Sequence, residues 1–185
     1  MQLYKLTSKD GYTRKGELGE TWWYPGRRIK KPRGSYQLCT DTVIHAYRSK
    51  ELALLLNPLH ADFSDPLLWE CEGKVEVEDW GKVGCSMLIT LTPIPCPDWY
   101  LYETLRIPVL RTFTQYCSEA AQSIKTQAYT LADDAFVLAE MSRNIDDLFR
   151  LRQCAASAAR DTQPQYPIDL QVLALRAIQS VTGDV

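Results

Sequence analysis

"LLWECEGKVEVE", residues 67–78, alternates at period two: Leu68, Glu70 and Glu72 fall on one side, Leu67, Trp69 and Cys71 on the other. Apolar residues on one face and charged residues on the other describe a half-buried β-strand. "KVGCSMLITLT", residues 82–92, supplies a second strand of β-branched and apolar residues. Working outward, "QLYKL" (2–6), "SYQLCT" (35–40) and "TVIHAY" (42–47) read as further short strands. One helix interrupts them. In "SKELALLLNP" (49–58), Ser49 stands at the N-cap, Glu51 lies in the first turn, and Leu52, Leu55 and Leu56 share a face. Asn57-Pro58 should end it, because the residue before a proline is pushed out of the helical region.

The character changes after Pro93. "TPIPCPD" (92–98) is a proline-rich linker, and from Asp98, an N-cap candidate, the chain reads as helical. "WYLYETLRIPVLRTFTQYCSEAAQSIK" (99–125) carries Pro108 as a kink or break. "TLADDAFVLAEMS" (130–142) and "RNIDDLFRLRQCAASAARD" (143–161) follow. "PIDLQVLALRAIQSV" (167–181) opens with Pro167 at the first helical position. Its stripe Leu170, Leu173, Leu175, Ile178 and Val181 completes a bundle or forms a homodimer seam. The expected architecture is α+β. A small mixed β-sheet with one short helix occupies residues 1–95, and a helical subdomain occupies 96–185.

At 185 residues, 45% hydrophobic and 24% charged, the chain can bury a real core. No apolar run approaches the roughly 18 residues that a membrane span needs, and the amino terminus has no signal-peptide pattern. A cytoplasmic protein without a membrane contact is expected. The six cysteines, Cys39, Cys71, Cys85, Cys96, Cys117 and Cys154, are irregularly spaced and form no CxxC pair. They read as reduced, mostly buried thiols, with no metal site and no cofactor.

Charge is distributed unevenly. Residues 1–50 hold 11 Lys/Arg against 4 Asp/Glu, a balance of +7, and the remainder holds 10 against 19, a balance of −9. The cationic segment is "TWWYPGRRIKKPRGSY", 21–36. It interleaves Trp22, Trp23, Tyr24 and Tyr36 with Arg27, Arg28, Lys30, Lys31 and Arg33. Cations bind phosphate or carboxylate, and aromatic faces stack on bases, so this segment is the candidate ligand or partner site. Its prolines and glycines predict a stiff, exposed loop or hairpin tip. The acidic remainder would repel a long duplex nucleic acid. It leaves a small anionic or nucleotide ligand, or a host protein or protein complex, as the expected partner.

The histidines offer a second reading. His45 lies inside a β-branched strand and His60 at the foot of the helix; both are expected to pack and hydrogen-bond. No Gly-x-Ser-x-Gly, HExxH, Gly-x-Gly-x-x-Gly or Walker-type loop accompanies them. The alternative is a mono-ADP-ribosyltransferase-like enzyme using a nicotinamide dinucleotide, with His45, Glu70 and Glu72 in its cleft. The recurrence of period-two glutamates at Glu76 and Glu78 instead matches the wet face of an ordinary strand.

Four stretches taken together resemble an uncharacterised family of small proteins found in bacteriophages and prophages. They are "LC" (38–39), "IHAYRSKELALLLNPLHADF" (44–63), "PLLWECEG" (66–73) and "KVGCSMLIT" (82–90). The resemblance covers roughly residues 1–95. It implies a viral or mobile-element origin and a non-enzymatic accessory role in the host cytoplasm. Interference with a host defence system is the role expected from that origin and the charge layout.

Overall fold

The computed structural model describes residues 1–61, 63–78, 81–123 and 169–183. The chain divides into two compact units, Met1–Cys96 and Pro97–Val185. The first contains β1 (Gln2–Ser8), β2 (Tyr12–Thr13), β3 (Thr21–Trp22), β4 (Arg28–Lys30), β5 (Ile44–Ala46), α1 (Lys50–Leu55), α2 (Asn57–His60), β6 (Pro66–Glu78) and β7 (Val83–Ile94). The second contains α3 (Asp98–Leu101), α4 (Glu103–Ser123) and α5 (Leu170–Thr182). The class is α+β as expected.

The long strands β6 and β7 pair with each other, β1 lines the other edge of β6, and β7 shares its second edge between two short strands. β5 takes Val83–Cys85 and β4 takes Met87–Ile89. Every pairing is antiparallel, where a mixed sheet was expected. The sheet also curls onto itself. Tyr4 and Tyr47 exchange both backbone hydrogen bonds at 2.8 Å, so pairing runs from β1 through β6, β7 and β5 back to β1. Register shifts between Glu70 and Cys71, and around Val75, supply the bending that closure requires.

The alternation read from residues 67–72 holds. Trp69 and Cys71 point into the roll with Leu3, Ile44, Cys85 and Leu88, while Glu70 and Glu72 pair with Tyr4 and Gln2 on the outer face. The Trp69 indole donates to Thr7 Oγ1 at 3.0 Å, satisfying two buried polar groups at once. Gly73 sits at a tight point of the interior. A Cβ there would stand 2.9 Å from the terminal methyls of both Leu3 and Leu88 and 3.0 Å from the Met87 carbonyl oxygen. Gly73→Ala should therefore cost about 1–3 kcal/mol by overpacking, read as a lower urea midpoint at unchanged slope.

Helix α1 starts as expected: Ser49 Oγ accepts from the Leu52 amide at 3.0 Å. It stops before Asn57-Pro58, but those residues open a further helical turn, since proline fits a first turn whose amides have no partner anyway. Buried Asn57 brackets Phe63, donating to its carbonyl at 2.8 Å and accepting from its amide at 3.1 Å. "SYQLCT" is not a strand. Cys39 adopts φ +63°, and the Thr40 and Thr42 hydroxyls turn back onto Gln37, so local side-chain bonds replace a ladder.

In the second unit Asp98 lies inside the first turn of α3 rather than capping it, and the chain restarts at Glu103 and runs through Pro108 to Ser123. Asp169 caps α5 by accepting from the Gln171 and Val172 amides, so the helix begins at Leu170. Pro167 lies outside the described residues, as do "TLADDAFVLAEMS" and "RNIDDLFRLRQCAASAARD". Leu170, Leu173, Ala174 and Ala177 are buried, and Val109, Leu110, Phe113 and Cys117 are buried on α4. Leu175 departs from the expected stripe and is exposed, because five positions past Leu170 is a turn of roughly 140° around the helix. Among the described residues no helix is long and apolar enough to cross a membrane.

Candidate functional site

The cationic segment is not a projecting tip. Arg28–Lys30 is a strand at the sheet edge, paired with Met87–Ile89. Period two then divides its side chains. Ile29 packs against the roll interior, and Lys31 follows on the same side. Arg28 and Lys30 are exposed on the other face, where the Arg28 guanidinium donates to Met87 Sδ at 2.9 and 3.2 Å. Arg33 and Tyr36, in the loop after β4, lie near Lys74. Trp22 is 52% exposed, stacked on Tyr12 at 6.3 Å and tilted against Tyr24 at 4.9 Å, and the Arg27 guanidinium stands 5.5 Å over the Tyr24 ring. The nine residues of the expected site therefore separate into several groups. No carboxylate among the described residues lies within 4 Å of Arg27, Arg28, Lys30, Lys31 or Arg33.

One of those groups opens into a cavity. Trp23 and Lys31 line a cleft of about 840 Å³ in the first unit, between the second half of β1, the β2–β3 ribbon and the residues leading into β5. Among the described residues its walls carry five cations (Lys5, Arg14, Lys15, Lys31 and Lys82) against two acids, Glu17 and Asp41. Lys15 is paired with Asp10 at 2.8 Å. Among the described residues, the two non-glycine positions with left-handed backbone, Arg14 at φ +53° and Cys39 at φ +63°, are on this cleft. Such conformations are held against a local energy cost and gather where side chains must be aimed.

Lys5 is the central residue. In β1 it shares the inward face with Leu3 and Thr7, opposite Trp69, and it is only 7% exposed. Its Nζ donates to the His45 carbonyl at 3.0 Å and stands 4.7 Å from the centre of the Trp23 ring. Trp23 is held in place by its indole, which donates to Thr13 Oγ1 at 3.0 Å. Burial lowers the Lys5 ammonium to about 8, and the neighbouring Arg14 and Lys31 push in the same direction. Its electrostatic neighbours are two cations and the thiols of Cys71 and Cys85, which burial pushes up to about 12 and about 11 and so keeps neutral. Among the described residues no carboxylate is one of them.

His45 serves this arrangement as a structural group. Burial first, then Lys82, Lys5, Arg14 and Lys31, hold its imidazole down to about 4, so the ring is neutral near pH 7. Nε2 accepts the Cys39 amide at 3.0 Å, which places the ring proton on Nδ1 and leaves no lone pair for base work. The Tyr47 hydroxyl and His60 Nδ1 are 3.0 Å apart, and both residues border the cleft. Glu70 and Glu72 lie on the outer face of β6, so the structure does not bring His45, Glu70 and Glu72 into one cleft.

Sequence reading missed Lys5, Arg14 and Lys82. Lys5 had a signal: a lysine at period two from Leu3 and Thr7 stands on a core face. Arg14 and Lys82 had none, because loop geometry brings them to the cleft. Of the five described cysteines, Cys71, Cys85 and Cys117 are buried, Cys96 is partly buried and Cys39 is exposed. No protein-family model, curated protein or solved structure matches the chain. The resemblance to phage proteins thus rests on its sequence pattern alone.

Proposed function

We propose that the protein binds a small anion of the phosphate-bearing class, a nucleotide among them, in the cleft floored by Lys5 and Trp23. The supporting observation is Lys5 itself, a buried cationic residue that lines the cleft and has no carboxylate beside it among the described residues. A buried charge normally has a counter-ion, and an anionic ligand would supply one. The cavity falls within the usual size range of small-molecule sites, and it combines an aromatic wall with a few converging polar groups. Of the two occupants expected from the sequence, the concave shape favours the small ligand over a host protein, whose interface would spread over roughly 800 Å² of surface. In the accessory role that the resemblance implies, the protein would sense or sequester such a ligand.

Calorimetric titration with inorganic pyrophosphate and with ADP tests this reading. Lys31→Ala combined with Arg14→Asn should weaken binding by about tenfold or more, as two charged contacts are lost. Asparagine is chosen because it tolerates left-handed backbone. Arg28→Ala with Lys30→Ala, on the other face of the same strand, should leave affinity within about twofold at fixed salt, since exposed charges there act only at long range. Equal losses in the two double variants, or no heat with either probe, would remove the cleft as the site.

A further inference from the structure

We infer that Lys5 forms a Schiff base with an anionic carbonyl compound, an aldehyde or ketone carrying a phosphate or carboxylate group. This inference rests on the cleft being an anion site and adds the chemistry of the ligand's other end. Four observations carry it. Lys5 is buried yet lines an open cleft. Among the described residues it has no carboxylate partner to hold it as an ammonium ion. It makes a single hydrogen bond, to the His45 carbonyl. The Trp23 ring flanks it at 4.7 Å.

The reaction fits these surroundings. The neutral amine attacks the carbonyl carbon and forms a carbinolamine. The carbinolamine oxygen leaves as water, and the imine nitrogen takes up one proton. A protonated imine has one N–H donor, and the His45 carbonyl is the one acceptor already in place. The aromatic face of Trp23 stabilises the remaining positive charge. Arg14 and Lys31 disfavour the ammonium form before reaction and stand ready for the anionic group. At pH 7.5 a pKa of about 8 leaves roughly a quarter of Lys5 as free amine, roughly 200 times the fraction of an ordinary lysine. Amines with these properties are the ones that condense with carbonyl substrates.

The experiment treats the full chain with less than one equivalent of pyridoxal 5′-phosphate, used as a phosphate-bearing aldehyde, followed by borohydride. Peptide mass spectrometry then locates the reduced adduct, with fragment ions separating Lys5 from the amino terminus. The adduct is expected on Lys5 in excess over Lys15, Lys31 and Lys82, and excess pyrophosphate should suppress it. Protein unfolded in urea should lose that preference. Lys5→Arg should keep pyrophosphate binding and lose the adduct. Labelling spread evenly over the lysines of the folded chain, or an unlabelled Lys5, overturns the inference. If pyrophosphate still binds in that case, only the carbonyl chemistry falls; if it does not, the anion site falls with it.

Discussion

Lys5→Met is expected to give a protein that is more stable than the wild type near pH 7 and that no longer binds a small anion in its cleft. The ammonium is held at about 8 against an ordinary 10.5, which corresponds to roughly 3 kcal/mol against the charged form in the fold. Methionine has nearly the same length and no charge, so it removes that penalty. It also removes the hydrogen bond to the His45 carbonyl and the contact over Trp23. The net gain should be about 1–2 kcal/mol. Its pH dependence has a definite sign. The folded protein binds fewer protons at Lys5 than the unfolded chain between about pH 8 and 10.5, so wild-type stability gains with rising pH across that window. Below it the full penalty is present. The advantage of Lys5→Met should therefore be constant below about pH 8 and shrink toward pH 10.5. Urea unfolding of both proteins at stepped pH measures it. A gain in stability with a loss of binding is the signature of a charge kept for a ligand; a packing residue would give the reverse.

The second large effect separates two adjacent tryptophans. Trp23 is 3% exposed and packs into the core of the roll, and its indole is bonded to Thr13. Trp23→Ala should cost about 3–5 kcal/mol, the range for truncating a large buried aromatic side chain. It also opens the floor of the cleft to water, so the Lys5 ammonium should rise toward its ordinary value. Trp22 stands on the opposite side of the strand and is half exposed. Trp22→Ala should cost no more than about 1 kcal/mol, from its contacts with Tyr12 and Tyr24. Far-ultraviolet circular dichroism in urea reads both without relying on tryptophan emission. Similar losses in the two variants would show that Trp23 is not the floor of the site.

What the sequence showed depended on how local the cause was. The alternation at 67–72 and the Ser49 cap are set by neighbours within a few residues, and both are found in the structure. The closure of the sheet depends on Tyr4 meeting Tyr47, a pairing with no local signature. The cationic segment was legible in composition but not in form. Pro25, Gly26 and Pro32 mark a loop, yet Arg28-Ile29-Lys30 also has the period of an edge strand, where charged residues discourage further pairing. Once it is a strand, one face takes Arg28 and Lys30 and the other takes Ile29 and Lys31, so a single basic patch cannot exist. Lys5 was hidden by its residue type, since lysines are seldom buried. Its position between Leu3 and Thr7 was the better guide.

The most direct measurement follows the unfolding midpoints of wild type and Lys5→Met at pH 7 as inorganic pyrophosphate is added. Lys5→Met should begin above the wild type and stay level. The wild type should rise with the logarithm of pyrophosphate, by about 2.7 kcal/mol at a hundredfold excess over its dissociation constant, and overtake the variant. A variant that begins less stable than the wild type, or two curves that climb in parallel, would contradict an anion site built on Lys5.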